Sequence, residues 1–256
     1  MGLKSNGPVH PGISKHIDIT VMKLFGTCLH KCLFLLFIGL LLAKTGGAKD
    51  GPPPPPDHGL TPFTIRVFLE GFYDGDELMR RAKDHDGTDH IYRFTDPIAE
   101  RITIELHTPG HYGEEGHTYA VNNVNLLNNG QATVDLPSEG TYYITIITRN
   151  HLETVSMDPI DFSATPREYD FTTAPDKAFG NNLTELEPTV YGLFAGDIDS
   201  NELINILDLN PIIESVRNNE QGYIIEDING DGMLNILDIN LVISNIRTNV
   251  TAKIPD

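Results

Sequence analysis

Two twelve-residue stretches, DIDSNELINILD (197–208) and DINGDGMLNILD (227–238), align without a gap and place an acidic or amide side chain at positions 1, 3, 5, 9 and 12 of each. Carboxylates drawn together in so short a loop repel one another, so the loop either stays open to water or closes round a cation. After each stretch the apolar period becomes helical. Leu209, Ile212, Ile213 and Val216 follow the first, and Ile239, Val242, Ile243 and Ile246 follow the second, both at i, i+3, i+4 and i+7. A lone DxNxDG is an ordinary surface turn, but a turn does not account for the same helical stripe at the same offset twice. The end of this chain must therefore fold as two loop–helix units with stripes facing a common core.

The loop chemistry points to calcium, which takes six to eight hard oxygen ligands from positions 1, 3, 5, a carbonyl at 7, position 9 and a bidentate carboxylate at 12. In the second copy these are Asp227, Asn229, Asp231, Met233 through its carbonyl, Asn235 and Asp238, with Gly232 at the sharp turn of position 6. In the first they are Asp197, Asp199, Asn201, Leu203 through its carbonyl, Asn205 and Asp208. Glu202 occupies position 6 there, where glycine would avoid strain. Asn210-Pro211 reads as the cap and first residue of a following helix of about two turns. Two calcium ions are expected, the first held less firmly than the second.

These loops end in Asp rather than Glu and follow LFAG and YIIE rather than a helix. Loop-then-helix, duplicated over residues 196–247, resembles the repeats of type I dockerin domains. The resemblance implies a small all-α domain over 191–256 that folds around two calcium ions and attaches a secreted protein to a cohesin-like partner. It also implies that loop positions 10 and 11 touch the partner. Here they are Ile206-Leu207 and Ile236-Leu237, the same pair in both repeats, which would permit binding in either of two orientations. Many dockerins carry polar residues there and space their repeats further apart, so these apolar pairs meet either a partner or this protein's own β-domain.

Upstream the period is two. Ile102, Ile104 and Leu106 alternate with Arg101, Thr103 and Glu105; TYYITIITR and FTIRVFLEGF alternate likewise; Asn128-Asn129-Gly130 between VNLL and QATVDL signals a hairpin. Short strands separated by Gly, Pro, Asn and Asp predict an antiparallel β-sandwich over 61–180, with a linker at 181–190. The run GPPPPPDHG makes 49–60 a stiff polyproline spacer. Residues 1–48 read as an export signal: LFLLFIGLLLA is the length of a signal core and short of a membrane span, Met22 is a plausible start, and Ala48 precedes a plausible cleavage point. An uncleaved anchor is the rival reading.

Without 1–48 the chain has 13 basic and 35 acidic side chains, a formal charge of −22. Nucleic acid and anionic membranes are poor partners for such a surface, and divalent cations are good ones. Cys28 and Cys32 both lie in the signal segment, so the remainder has no disulfide and no thiol chemistry.

The β-region offers weaker signals. His107, His111 and His117 flank Glu114 and Glu115, but Pro109 and Gly110 break any helix that would align them, so a solvated loop is expected. Asp84, Asp86 and Asp89 read as a polar turn. No GxSxG, HExxH or P-loop occurs, and acid pairs cannot be chosen in so acidic a chain. With no tryptophan, sugar stacking would fall to Tyr73, Tyr92 and Tyr112. The leading expectation is a secreted, non-catalytic protein attached through its calcium-binding repeats. The alternatives are a carbohydrate-binding or O-glycosyl-hydrolysing component of polysaccharide breakdown, and a structural adhesin stabilised by calcium.

Overall fold

The computed structural model describes residues 59–114 and 116–255. The chain divides into two units, Met1–Lys49 and Asp50–Asp256, and the described residues belong to the second. The expected export signal and nearly all of the polyproline spacer lie outside them.

Strand β1 (Leu60–Arg66) is followed by two small two-stranded sheets, β2 (Tyr73–Gly75) with β3 (Leu78–Met79), and β4 (Lys83–His85) with β5 (His90–Tyr92). The long strands are β6 (Ile98–His107), β7 (Thr118–Leu127), β8 (Gln131–Pro137) and β9 (Thr141–Ile147). Shorter ones follow: β10 (Thr154–Val155), β11 (Ile160–Asp161), β12 (Glu168–Asp170), β13 (Thr184–Glu187) and β14 (Val190–Gly192). One sheet has the order β12-β1-β8, the other β10-β9-β6-β7 with β11 also on β9. The alternation seen in the sequence sorts the side chains as expected. Ile102, Ile104 and Leu106 of β6, Ile144 and Ile146 of β9, Phe63 and Ile65 of β1, and Val134 and Leu136 of β8 share one core. Burying such aliphatic and aromatic groups stabilises by roughly 1.5–3 kcal/mol each, which is what holds a disulfide-free sandwich together.

Three expectations need correction. The sheets are not wholly antiparallel, because β12 runs parallel to β1, with Ile65 opposite Tyr169. Asn128-Asn129-Gly130 does turn the chain, but β7 and β8 belong to different sheets, so the turn is a corner between layers rather than a hairpin. Gly130 is required there: its φ is +81°, and an added Cβ would lie 2.7 Å from the Phe68 ring. The third concerns 181–190, which is no linker. It forms the β13–β14 hairpin, whose continuation places Leu193 in the sandwich core, its amide bonded to the Phe68 carbonyl.

Helix α1 (Ile206–Arg217) and helix α2 (Ile236–Thr248) follow the two acidic loops. Leu209, Ile212 and Val242 are buried in a second core with Ile198, Ile204, Ile228 and Val250, while Ile213, Ile239, Ile243 and Ile246 are partly buried against it. Val216, placed on the stripe by its spacing, is exposed instead. Helix α1 is also longer than expected. Its N-cap is Asn205, not Asn210, and it continues through Pro211. Proline there forfeits only the bond to the carbonyl of Leu207, a residue on the solvated side.

The repeats do not stand apart from the sandwich. Glu70 accepts from the Ala195 amide (2.8 Å) and from Asn245 Nδ2 (2.6 Å). Gly71 comes so close to the Ile228 carbonyl that a Cβ would sit 2.2 Å from its oxygen. Buried Glu100 binds Arg149 Nε (3.0 Å) and the Tyr223 hydroxyl (2.5 Å), and Arg149 also donates to the Ile224 carbonyl. Asn150 Nδ2 reaches the carbonyls of Ile225 and Asp227 at 2.9 and 3.1 Å. No described helix is long and apolar enough to cross a membrane.

Candidate metal-binding loops

Each loop is built by the same backbone device. At position 9, Asn205 Oδ1 accepts from the Leu207 amide and Asn235 Oδ1 from the Leu237 amide, both at 2.8 Å. At position 12, Asp208 Oδ2 and Asp238 Oδ2 reach back to the amides of Asn205 (2.8 Å) and Asn235 (3.0 Å). This is a capping box, and it starts both helices at position 10. Position 7 of each loop pairs with the chain that follows the other repeat's helix, Leu203 with Thr251 and Met233 with Gln221. The two repeats thus clamp each other about a local two-fold.

In the first loop the carboxylates gather inside this frame. One oxygen from each of Asp197, Asp199 and Asp208 lies within 4.8 Å of the others. Asp197 is buried and accepts from the amides of Asn201 (3.1 Å) and Glu202 (3.2 Å). Its pKa is nevertheless raised, first by burial and further by the charges of Asp208 and Asp199. In the second loop Asp227 is wholly buried, and burial pushes its pKa up to about 7 although Arg149 opposes the shift. Its Oδ2 accepts from the Gly232 amide (3.1 Å), while its Oδ1 is buried with no hydrogen-bond partner. An ionised oxygen in that setting is costly unless a proton or cation meets it. Asp238 is raised as well, mainly by burial. Asn229 is buried beside them, Asn201 and Met233 are exposed, and the carbonyls of Leu203 and Met233 accept from Asn205 Nδ2 and Asn235 Nδ2 at 3.2 and 3.1 Å.

This donor set is all oxygen, and one of its buried oxygens is unpartnered, so the residues fit a hard cation. One expected detail does not fit. Asp208 Oδ1 takes the amides of Ile198 and Asp199, and Asp238 Oδ1 takes those of Ile228 and Asn229. With both lone pairs of Oδ1 used, position 12 can offer a cation only Oδ2, one oxygen rather than two.

The loops differ in strain and support. Positions 4 and 6 have positive φ in both: Ser200 (+55°) and Glu202 (+67°) in the first, Gly230 (+70°) and Gly232 (+78°) in the second. Non-glycine residues pay about 1–2 kcal/mol for that region. The second loop's glycines also permit docking, since a Cβ on Gly230 would lie 2.4 Å from the Phe72 ring and one on Gly232 2.9 Å from His90. The first loop faces solvent at Asp199, Ser200, Asn201 and Glu202.

The two Ile-Leu pairs are open to solvent. Ile206 and Leu207 are 63% and 57% exposed, Ile236 and Leu237 59% and 53%, so burial of these pairs on the protein's own β-domain is ruled out. The sandwich is docked through other residues. Arg149, Asn150, His151, Glu100 and Tyr223 make that seam, and sequence reasoning missed all five because each is an isolated polar residue with a distant partner.

The remaining candidates resolve individually. Asp84 binds Arg93 (2.9 Å) and Asp86 caps the amides of Thr88 and Asp89, a polar turn as expected. Tyr73 packs on Phe68, Tyr92 lies under Arg81, and Tyr112 bonds to Thr145 and Glu153, so the three serve separate contacts. His107 stacks on Tyr112 and pairs with Glu105. The expected solvated loop at 108–117, however, brings His111, Glu114 and His117 together.

No protein-family model matches this sequence, and no curated protein matches it. Two solved structures are similar at low identity, both described as interface mutants of a type II cohesin–X–dockerin complex from Acetivibrio cellulolyticus. The C-terminal interface mutant is 16% identical with a TM-score of 0.41, and the N-terminal one 15% with 0.38. Each match covers 72% of this chain and 94% of that chain. Overlaps of that size leave function to be argued from the residues themselves.

Proposed function

We propose that the two loops bind one calcium ion each and that the protein is a secreted, non-catalytic attachment protein. In this reading its dockerin-like repeats present Ile206-Leu207 and Ile236-Leu237 to a cohesin-like partner. The observation that carries the reading is the buried, unpartnered Oδ1 of Asp227 inside an all-oxygen loop. A bound calcium supplies the positive charge that lets these carboxylates stay ionised where they are buried.

The chain's own residues connect that site to the surface. Each Ile-Leu pair lies between the capping Asn at position 9 and the Asp at position 12, and the Leu amide is tied to the Asn side chain. Whatever fixes the loop therefore fixes the direction in which the pair points. Four exposed aliphatic side chains repeated about a local two-fold are costly in water and suited to a flat apolar partner surface. The sandwich, in this reading, buttresses the second loop through Phe72, His90 and Asn150.

Calorimetry on the untagged chain should give two calcium ions per molecule. Asp227→Asn should abolish the tighter event, and a retained pair of events would refute the site. A cohesin panel should then be probed with and without calcium. Binding that survives Leu207→Glu with Leu237→Glu would remove the pairs from the interface.

A further inference from the structure

We propose a second metal site, for a borderline transition ion such as zinc, formed by His111, Glu114 and His117 on the loop between β6 and β7. It is separate from the acidic loops and of different chemistry.

The loop reads TPGHYGEEGH, with glycine at every third place, 110, 113 and 116. All three glycines have positive φ (+78°, +73°, +85°). The amides of His111, Glu114 and His117 donate to the carbonyls of Thr108, His111 and Glu114 at 3.1–3.2 Å. Three successive turns are thus closed, each with its glycine third and its donor residue fourth, the pattern a left-handed third position demands. The donor residues recur with the period of the turns, so their side chains leave the same side of the loop. A helix is one way to align ligands on a face, and a run of identical turns is another.

The result is convergence. A ligand atom from each of the three residues lies within 4.8 Å of the other two. His111 Nδ1 and Glu114 Oε2 are 3.0 Å apart, and the two imidazoles stack at 4.2 Å between centroids, inclined by 14°. Two ligands of one tetrahedral zinc stand about 3.3 Å apart, so small side-chain rotations close the set. Tyr112, between the donors, is fixed by Thr145 and Glu153 and by stacking on His107 at 4.1 Å, which anchors the loop to the sheet. Two imidazoles and a carboxylate favour zinc over calcium or magnesium. Three protein ligands leave a fourth tetrahedral position for water or an anionic group.

The test is a zinc titration of the untagged full chain in millimolar calcium, which occupies the acidic loops, read by competition with a chromophoric chelator. One zinc ion per chain should bind. His111→Ala and His117→Ala should each weaken binding about tenfold or more, with Glu114→Gln also weaker. His85→Ala should leave it unchanged. Circular dichroism should show the variants folded, since these side chains lie on an exposed loop. Zinc affinity indifferent to His111 and His117, or no binding in calcium-saturated protein, overturns the proposal. Either outcome leaves the calcium reading standing.

Discussion

Lowering the pH from 7 to 5 should destabilise this protein in part through one buried imidazole at the seam. His151 lies at the seam, 4% exposed. Its Nε2 accepts from the Gly71 amide (3.2 Å) and its Nδ1 meets Asn150 Oδ1 at 2.9 Å, so the neutral ring carries its proton on Nδ1. Protonating Nε2 would break the bond to Gly71 and bury a charge beside Arg149. Burial first, and then Arg149, hold the pKa down to about 3. The folded value lies below the unfolded one of about 6.5. Stability from this group is therefore complete above 6.5 and falls as pH drops, because the unfolded chain takes up a proton that the folded chain refuses. Between pH 7 and 5 the loss is about 2 kcal/mol, at about 1.4 kcal/mol per pH step below 6.5. Urea titrations in saturating calcium, of wild type and His151→Gln, separate this group from the other histidines and the carboxylates. Glutamine can still accept from Gly71 but cannot titrate, so its unfolding free energy should fall by about 2 kcal/mol less over that range. Equal pH slopes in the two proteins would show that His151 is not the neutral acceptor described.

Chelation should lower the melting temperature of the sandwich and the repeats together, in one calorimetric transition, because the seam couples them; at a thousandfold excess over Kd the ion contributes about 4 kcal/mol. Two well-separated transitions would deny the coupling. Glu202→Gly should relieve the positive φ of +67° and tighten the first site by about 1 kcal/mol, or roughly fivefold in calcium affinity. An unchanged affinity by calorimetry would discount the strain. Gly71→Ala should destabilise the chain by about 3 kcal/mol in urea, the upper end for overpacking, since its Cβ has no room beside Ile228.

The sequence carried the periodic information well. Alternation at Ile102, Ile104 and Leu106 identified a strand face, and the stripes beginning at Leu209 and Ile239 identified two helices, because burial on one side imposes its period directly. The loop positions were legible for the same reason, being spaced by a turn of fixed length. What could not be read was anything set by distant partners. Asn205 looked like a ligand and is also the N-cap of a helix that runs on through Pro211. Residues 181–190 looked like a linker because nothing local announces that Leu193 will bond to Phe68. The convergence of His111, Glu114 and His117 was hidden because no helix aligns them, although Gly110, Gly113 and Gly116 carry the period of the turns that does.

The Glu70–Asn245 bond joins positions 175 residues apart, and its neighbour Gly71 waits for Ile228. A chain made from its N-terminus cannot form this seam until Asn245 has emerged. Until then Phe72 and the Gly71 backbone, which the last repeat covers, have no cover. Contacts of such long sequence separation slow folding and prolong the exposure of apolar surface. Timing thus becomes part of the architecture. The repeats act as the latch on a structure begun at β1, and removing residues 196–256 should leave the sandwich as an aggregation-prone intermediate rather than a smaller stable domain.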